Sequence, residues 1–256
     1  MIVELQTVEV RLGGHLIVSD ADLTGPAGSV LALRGPNGSG KTSLLRVLSG
    51  LVKPRLGRRI GPRHCAYVPA AIEPPTIAAG QWLDHFPRAG RGDAHGVLKA
   101  LAFHGNLSKS CTRLSFGNLR KLLLAEALSS GESLIVVDEA GMGLDGPGID
   151  GLQHTIRELA DNGACVIVAE QDSQFMAAAD GRYQLGAQRL RKLNRDREDD
   201  ELHLTGDRRK PDQIRAFARR LGVSGNVAQG ESTEVSKDRP LDTSENRSAG
   251  TSRERR

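Results

Sequence analysis

The sequence predicts an α/β fold with a central, mainly parallel sheet, and two observations indicate it. Four short apolar runs have the length of strands, at residues 29–34, 66–68, 134–137 and 165–169. Segments whose apolar residues have helical spacing alternate with these runs, at residues 43–48, 94–104, 118–129 and 148–161. Alternation of strand and helix along a chain is typical of a parallel sheet covered by helices.

The N-terminal segment has a different pattern, which predicts an antiparallel β subdomain. Residues 2–11 and 16–23 are roughly alternating and strand-like. The Gly13-Gly14 pair between them is a turn signal. We therefore expect a hairpin at the start of the chain.

The composition changes beyond about Leu193. Arg, Asp, Glu, Ser and Lys dominate, and Phe217 is the only aromatic residue after Tyr183. Such a segment buries too little apolar surface to offset the entropy lost on ordering. We predict one folded domain over residues 1–193 and a disordered tail over residues 194–256. A short amphipathic segment at 211–221 is either a transient helix or a docking segment for another protein.

The composition argues against several classes of protein. The net charge of +4 is mild and only 3% of residues are aromatic, so no nucleic-acid partner is expected. The apolar runs are far shorter than the roughly 20 residues of a membrane helix, and the N-terminus lacks the pattern of a secretory signal. We therefore expect a cytoplasmic protein. Cys65, Cys111 and Cys165 have no spacing typical of disulfides or zinc sites, which favours free thiols.

Residues 35–42 form a phosphate-binding motif of the GxxxxGK[ST] type, between a predicted strand and a predicted helix. The motif reads Gly35-Pro36-Asn37-Gly38-Ser39-Gly40-Lys41-Thr42. The glycines let backbone N–H groups approach the β-phosphate, and the helix N-terminus adds its positive dipole end. Lys41 is expected to reach the β- and γ-phosphates and Thr42 to ligate Mg²⁺. The pattern predicts a P-loop NTPase.

The apolar run at 134–137 ends in two carboxylates, Asp138 and Glu139. We expect Asp138 to hold Mg²⁺ through water and Glu139 to polarise the attacking water as a general base. The pair lies downstream of the phosphate-binding motif in the same α/β pattern. Both are therefore expected at the C-terminal edge of one sheet.

Two further motifs carry a family resemblance. Leu114-Ser115-Phe116-Gly117-Asn118 resembles the LSGGQ signature of ATP-binding-cassette (ABC) proteins. Gly143-Leu144-Asp145 resembles the D-loop of that family, with Asp145 in its aspartate position. The order of P-loop, signature, Asp-Glu strand and D-loop is specific to the family, and the resemblance spans roughly residues 2–190.

The resemblance implies an ATP-binding and ATP-hydrolysing subunit of an ABC transporter, of a compact bacterial type. Such a subunit energises transport by a separate membrane-spanning chain and lies at the inner face of the membrane through it. A short helical subdomain, about 71–128, would dock on that chain. The resemblance also implies a head-to-tail dimer, homotypic or heterotypic, in which Ser115 and Gly117 contact the γ-phosphate held by the other chain. The alternative role of Ser115, as the cap of the apolar helix that follows, is favoured less because the other motifs are present.

Several residues depart from the family pattern. Leu12 stands where an adenine-stacking aromatic residue is usual, Ala70 replaces the Q-loop glutamine, and Gln171 stands at the position of the switch histidine. Gln171 can donate a hydrogen bond to the γ-phosphate but cannot take up a proton at neutral pH. Either the chain hydrolyses ATP slowly or only beside a better-equipped partner, or Gln171 and a shifted glutamine such as Gln81 substitute. A soluble non-transport ABC protein and a regulatory ATP-binding module with little turnover are the alternative functions. The resemblance leaves the transported substrate and its direction open.

Overall fold

The computed structural model describes residues 1–71, 73–85, 92–170, 173–193, 202–204 and 233–235. The chain divides into two units, Met1–Leu193 and Asn194–Arg256. Within the described part of the first unit, nine strands form one sheet in the order β4-β1-β2-β9-β8-β3-β7-β6-β5. The strands are β1 (Val3–Leu12), β2 (His15–Gly25), β3 (Ser29–Arg34), β4 (Leu56–Ile60), β5 (Ala66–Val68), β6 (Leu134–Asp138), β7 (Cys165–Ala169), β8 (Gly181–Gly186) and β9 (Arg189–Leu193).

Helices cover both faces of the sheet. They are α1 (Lys41–Leu48), α2 (Ala79–His85), α3 (Ala94–Ala100), α4 (Phe116–Leu128), α5 (Gly146–Asp161) and α6 (Ser173–Ala178). A 3₁₀ turn at Cys111–Arg113 precedes α4. Among the helices of the described residues, none has both the length and the apolar content needed to cross a bilayer.

One side of the sheet, up to the edge strand β5, is parallel. Strands β5, β6, β7, β3 and β8 run in the same direction. Their side chains alternate between the two faces, as the pleat requires. In β3, Val30 and Ala32 join the apolar cluster beneath α3, α4 and α5, whereas Leu31 and Leu33 join the cluster beneath α1 and the N-terminal hairpin. The α/β fold with a mainly parallel sheet is therefore confirmed.

The antiparallel N-terminal subdomain is also present. Strands β1 and β2 form the predicted hairpin around Gly13-Gly14, with Leu12 paired to His15. Strand β4 pairs antiparallel with β1 and forms an edge of the sheet. The sequence patterns did not indicate β4, β8, β9 or α2.

The second unit is described only in part. Two three-residue strands, β10 (Leu202–Leu204) and β11 (Thr233–Val235), pair antiparallel. These two strands are the only elements of the tail among the described residues, and the prediction of a disordered tail stays a prediction. The rest of the tail, including the segment at 211–221, lies outside the described residues.

Gly151 lies where α5 packs closely on the end of α3. A Cβ added to Gly151 would lie 1.9 Å from the backbone oxygen of Ala100. Gly151→Ala should therefore lower the free energy of unfolding by about 1–3 kcal/mol, because the two backbones must move apart. Urea denaturation of the purified chain measures this change. The control is Gly146→Ala at the exposed start of the same helix, where an added Cβ meets nothing within 4 Å; it should change stability by less than about 0.5 kcal/mol. Equal stability of the two variants would contradict the close approach.

Candidate functional site

The register of the parallel strands brings the sequence motifs to one edge of the sheet. Ala169, at the end of β7, pairs with Leu33 of β3 on one side and with Asp138 of β6 on the other. The phosphate-binding motif follows β3 directly, and Glu139 follows β6. Residues that are far apart in sequence therefore meet at the carboxyl ends of neighbouring strands, where α/β proteins bind ligands.

The loop between β3 and α1 adopts a backbone suited to glycine. Gly40 precedes α1 with a φ of 102°, and no side chain caps the helix. A side chain at Gly40 would be strained, and its Cβ would lie 2.5 Å from Ile17. Gly38 has a φ of 79°, and a Cβ there would meet only open space. Gly40 therefore gives the first turn of α1 no side-chain cap, and N–H groups left without such a cap are suited to bind a phosphate group.

Lys41 is held inside the curve of this loop. Lys41 is only 8% exposed to solvent. The ammonium Nζ donates to the backbone oxygens of Gly35, at 2.7 Å, and Pro36, at 3.1 Å. These bonds fix one positive charge beside the helix N-terminus, where an anion would bind.

Thr42 and Asp138 approach each other across the site. Thr42 Oγ1 donates to Asp138 Oδ2 at 2.6 Å, although 96 residues separate them. A hydroxyl and a carboxylate are the oxygen ligands that Mg²⁺ takes when substrate phosphates complete its coordination. Among the described residues, no group of three or more His, Cys, Asp or Glu side chains could hold a metal ion. The pair therefore fits a Mg²⁺ ion bound together with phosphate.

An open cleft of about 340 Å³ lies beside this pair. Its walls combine polar and apolar side chains: Asn37, Lys41, Glu139, Gly141, Met142, Ile149, Ala169 and Glu170. Glu139 has a left-handed backbone with a φ of 50°, which is uncommon outside glycine. Glu139 and Lys41 line the same cleft, so a carboxylate residue suited to act as a general base lies in the cleft that the phosphate motif also lines.

Glu170 is a cleft residue that the sequence reasoning missed. Its Oε2 accepts a hydrogen bond of 2.6 Å from the backbone N–H of Gly141. The bond ties the end of β7 to the turn that follows Glu139. The available signal was positional, because Glu170 follows the β7 run just as Glu139 follows the β6 run.

The signature residues lie at the start of α4. Ser115 Oγ accepts from the Asn118 N–H at 3.3 Å, so Ser115 is the N-cap of the helix. Gly117 packs against the backbone of Gly143, whose oxygen would lie 2.5 Å from an added Cβ. Phe116, which stands where the family has a glycine, is 54% exposed. Within the described residues, neither Ser115 nor Gly117 lines the cleft that contains Lys41 and Glu139.

The D-loop aspartate pairs with a buried lysine. Lys121 Nζ lies 2.6 Å from Asp145 Oδ1 and also donates to the backbone oxygen of Ala102 at 2.8 Å. The side chain of Lys121 is 5% exposed. Its hydrogen bond lowers the pKa of Asp145 below the ordinary aspartate value. Asp145 is thereby joined to the helix that carries the signature.

The residues that depart from the family pattern, and the possible substitute Gln81, lie in different parts of the chain. Leu12 is half exposed at the end of β1. Ala70 follows β5, two residues beyond Val68. Gln81 lies in α2, and its side-chain oxygen accepts from the Ala78 N–H at 3.3 Å. Gln171 lies outside the described residues.

Cys65, Cys111 and Cys165 are free thiols, as the spacing predicts. Burial raises the pKa of each thiol above its ordinary value. A raised pKa reduces the thiolate fraction and hence the reactivity of the sulfur.

Comparisons with known proteins agree with this geometry. A family model described as ABC transporter matches residues 18–141. The zinc import ATP-binding protein ZnuC of Alkalilimnicola ehrlichii is 34% identical over 185 residues, which cover 70% of this chain and 71% of that protein. ZnuC of Pseudomonas aeruginosa is 32% identical over 186 residues, covering 70% of this chain and 68% of that protein.

Solved structures share the fold. An ATP-binding subunit of an ABC transporter superposes with a TM-score of 0.69 at 19% identity, covering 91% of this chain and 96% of that chain. A dimeric ATP-binding cassette bound to ADP and phosphate superposes with a TM-score of 0.64 at 19% identity, covering 75% of this chain and 99% of that chain. At these identities the likeness concerns the fold.

The Lys41 ammonium is the first group to test in this site. Lys41→Ala should abolish binding of Mg-ATP, because it removes the charge that the loop holds beside the helix N-terminus. Titration with a fluorescent ATP analogue measures this, and circular dichroism checks that the fold is retained. Lys53→Ala, an exposed lysine beyond α1, is the control and should bind as the wild type does. Unchanged affinity in Lys41→Ala would contradict the phosphate site.

Proposed function

The chain belongs to the ABC transporter family, and from this premise we propose that residues 35–42, with Asp138 and Glu139, form the site at which it hydrolyses ATP. The chain is the ATP-binding and ATP-hydrolysing subunit, acts with Mg²⁺, and energises transport by a separate membrane-spanning subunit. The observation that carries the site assignment is the 2.6 Å contact between Thr42 and Asp138, beside a cleft that Lys41 and Glu139 share.

The proposed mechanism assigns one task to each group. Backbone N–H groups at the start of α1 and the Lys41 ammonium bind the phosphates of ATP. The oxygens of Thr42 and Asp138 hold Mg²⁺, which neutralises charge on the phosphates when it is bound. Glu139 accepts a proton from the water that attacks the γ-phosphorus, and the bond to the β,γ-bridging oxygen breaks to release ADP and phosphate.

Two further sets of residues belong to the proposed site. Ser115 and Gly117 contact the γ-phosphate held by a second ABC subunit in a head-to-tail dimer, with Asp145 at the dimer contact. Their absence from the cleft of their own chain supports this arrangement. We assign Gln171, which stands at the position of the family's switch histidine in the sequence, to the contact with the γ-phosphate. Since Gln171 cannot exchange a proton at neutral pH, and Ala70 lacks a polar side chain, we expect turnover by this chain alone to be slow.

The organisation of the chain follows from this function. We propose that residues 1–193 are the ATP-binding domain and residues 194–256 a separate tail. Residues 71–128, which contain α2, α3 and α4, form the helical subdomain that contacts the membrane-spanning subunit. The chain then lies at the cytoplasmic face of the membrane through that partner.

The curated relatives suggest the transported substrate. Both are named as zinc import proteins, and each covers 70% of this chain at 32% identity or more. We propose that the transporter imports a divalent metal ion, with zinc as the first candidate. The ATP-binding subunit contributes energy to such import and does not need a zinc site of its own.

Glu139→Gln tests the assignment of the base. The amide keeps the shape of the side chain but cannot accept a proton, so kcat for ATP hydrolysis should fall about 100-fold or more while ATP-driven dimerisation persists. Phosphate release measures turnover, and size-exclusion chromatography in Mg-ATP measures dimerisation. Glu132→Gln, at the opposite end of β6, is the control and should leave both unchanged. Hydrolysis that Glu139→Gln leaves intact would contradict the role of Glu139.

The transport role has its own test. A strain that lacks this chain should accumulate less zinc from low-zinc medium, and the wild-type gene should restore uptake whereas Lys41→Ala should not. Affinity purification of the tagged chain from solubilised membranes should recover a multispanning protein. Normal zinc uptake together with recovery of a multispanning partner would exclude zinc but keep the transport role. Recovery of the chain without any membrane protein would contradict transport itself.

A further inference from the structure

Arg120 is a buried charge in the middle of the proposed machinery. It lies in the second turn of α4, five residues after Ser115, and is only 2% exposed. Moving a guanidinium out of water is costly unless hydrogen bonds and opposite charges compensate. The contacts that compensate it therefore indicate what this residue does.

The guanidinium of Arg120 joins the ends of two strands. Nη1 donates to the backbone oxygen of Pro69, which follows β5. Nη2 donates to the backbone oxygens of Asp138 and, at 2.9 Å, Glu139. The planar, multidentate head of arginine can bind these separate carbonyls at once, whereas the compact ammonium of lysine cannot match the same geometry.

These bonds act on a strained part of the backbone. Glu139 has a φ of 50°, and a left-handed backbone persists at a non-glycine residue when its surroundings hold it. Arg120 donates to the backbone oxygen of Asp138, the residue before Glu139, and to the backbone oxygen of Glu139 itself. On the other side, the Ala140 N–H donates to the Ala169 oxygen at 3.2 Å. The turn is thus held from α4 and from β7, and this fixes the direction in which the Glu139 side chain leaves the backbone.

Three carboxylates surround the guanidinium. Burial lowers the pKa of Arg120 below the ordinary arginine value, and the carboxylates of Asp138, Glu139 and Glu170 oppose this shift without reversing it. Because an arginine starts from a very high pKa, it remains a cation in this setting. Arg120 therefore also offsets the mutual repulsion of three carboxylates at the ends of β6 and β7.

We propose that Arg120 is a positioning residue for ATP hydrolysis. Through the carbonyls of Asp138 and Glu139 it holds the Glu139 carboxylate towards the attacking water, and through Pro69 it links that geometry to α4 and to the segment after β5. The proposal rests on the function proposed for Glu139. It predicts a loss of turnover with little change in affinity for Mg-ATP, since Arg120 binds the backbone oxygen of Asp138 rather than its carboxylate. Within the described residues, the hydrogen bonds of Arg120 go to neither Lys41 nor Thr42.

Arg120→Met and Arg120→Lys test the proposal in the full-length chain. Methionine keeps the apolar stem and removes all three bonds, and lysine keeps the charge and part of the bonding. We expect kcat to fall at least about tenfold in Arg120→Met and by a smaller factor in Arg120→Lys, because small displacements of a catalytic group reduce rates strongly. The dissociation constant for Mg-ATP should stay within about twofold of the wild type in both.

Leu122→Ala is the matched control for stability. Leu122 is fully buried on the same helix and belongs to the apolar cluster beneath it, with no hydrogen-bonding group on its side chain. It should lower the urea midpoint of unfolding and leave kcat unchanged. If Arg120→Met does not fold, the kcat of Arg120→Lys is compared with that of Leu122→Ala. Lysine retains the buried positive charge, so a fall of kcat in Arg120→Lys alone supports the positioning role.

The outcomes separate the inference from the function on which it rests. Hydrolysis that depends on Glu139 but is unchanged in both Arg120 variants would overturn the positioning role alone. An equal fall of kcat in Leu122→Ala would also overturn it, since the effect would then follow from stability. Wild-type hydrolysis that Glu139→Gln does not reduce would overturn the proposed function together with this inference.

Discussion

Parallel hydrogen bonding between β3, β7 and β6 is the constraint on which the site depends. Ala169 of β7 pairs with Leu33 of β3 on one side and with Asp138 of β6 on the other. The phosphate loop, which follows β3, and the carboxylates at the end of β6 therefore lie on the two sides of β7. Because β3 and β6 both neighbour β7, they are about 10 Å apart. The loop after β3 and the start of α1 span this gap and bring Thr42 within hydrogen-bond distance of Asp138. A one-residue slip would turn Asp138 to the other face. Buried aliphatic side chains on both faces specify the register, and hence the site.

The elements that the sequence predicted are those whose signal is local. Buried runs such as Cys165–Ala169 are apolar because helices cover both faces, and the phosphate motif is contiguous. Strand β4 carries no comparable signal: its residues are mostly exposed, and it is a strand because it pairs with the edge of β1. The contacts of Glu170, Lys121 and Arg120 join segments distant in sequence. Their partners are mostly backbone atoms, which every residue possesses, so no residue pattern could identify them.

Two adjacent cations, Arg120 and Lys121, attach α4 to several other segments of the domain. Arg120 binds the carbonyls at the ends of β5 and β6, and Lys121 binds Asp145 and the end of α3. Both are buried, and a buried charge rarely adds stability beyond an apolar residue of similar size. Their hydrogen bonds instead fix the position of α4: Arg120 attaches it to the ends of β5 and β6, and Lys121 attaches it to Asp145 and the segment after α3. A displacement of α4 would therefore act on Glu139, the proposed general base, and on Asp145 together, while Ser115 moves with the same helix.

This arrangement bears on the missing glutamine at position 70. In the family that side chain connects the segment after β5 to the metal, whereas Ala70 provides no polar group. The Arg120 bond to Pro69, one residue earlier, attaches the same segment through its backbone to the helix that leads to Ser115. The attachment also reaches Glu139, the proposed general base. If Glu139 has that role, Arg120 connects the segment after β5 and α4 to the chemical step without a ligand to the metal, even though the side chain at position 70 is a methyl group.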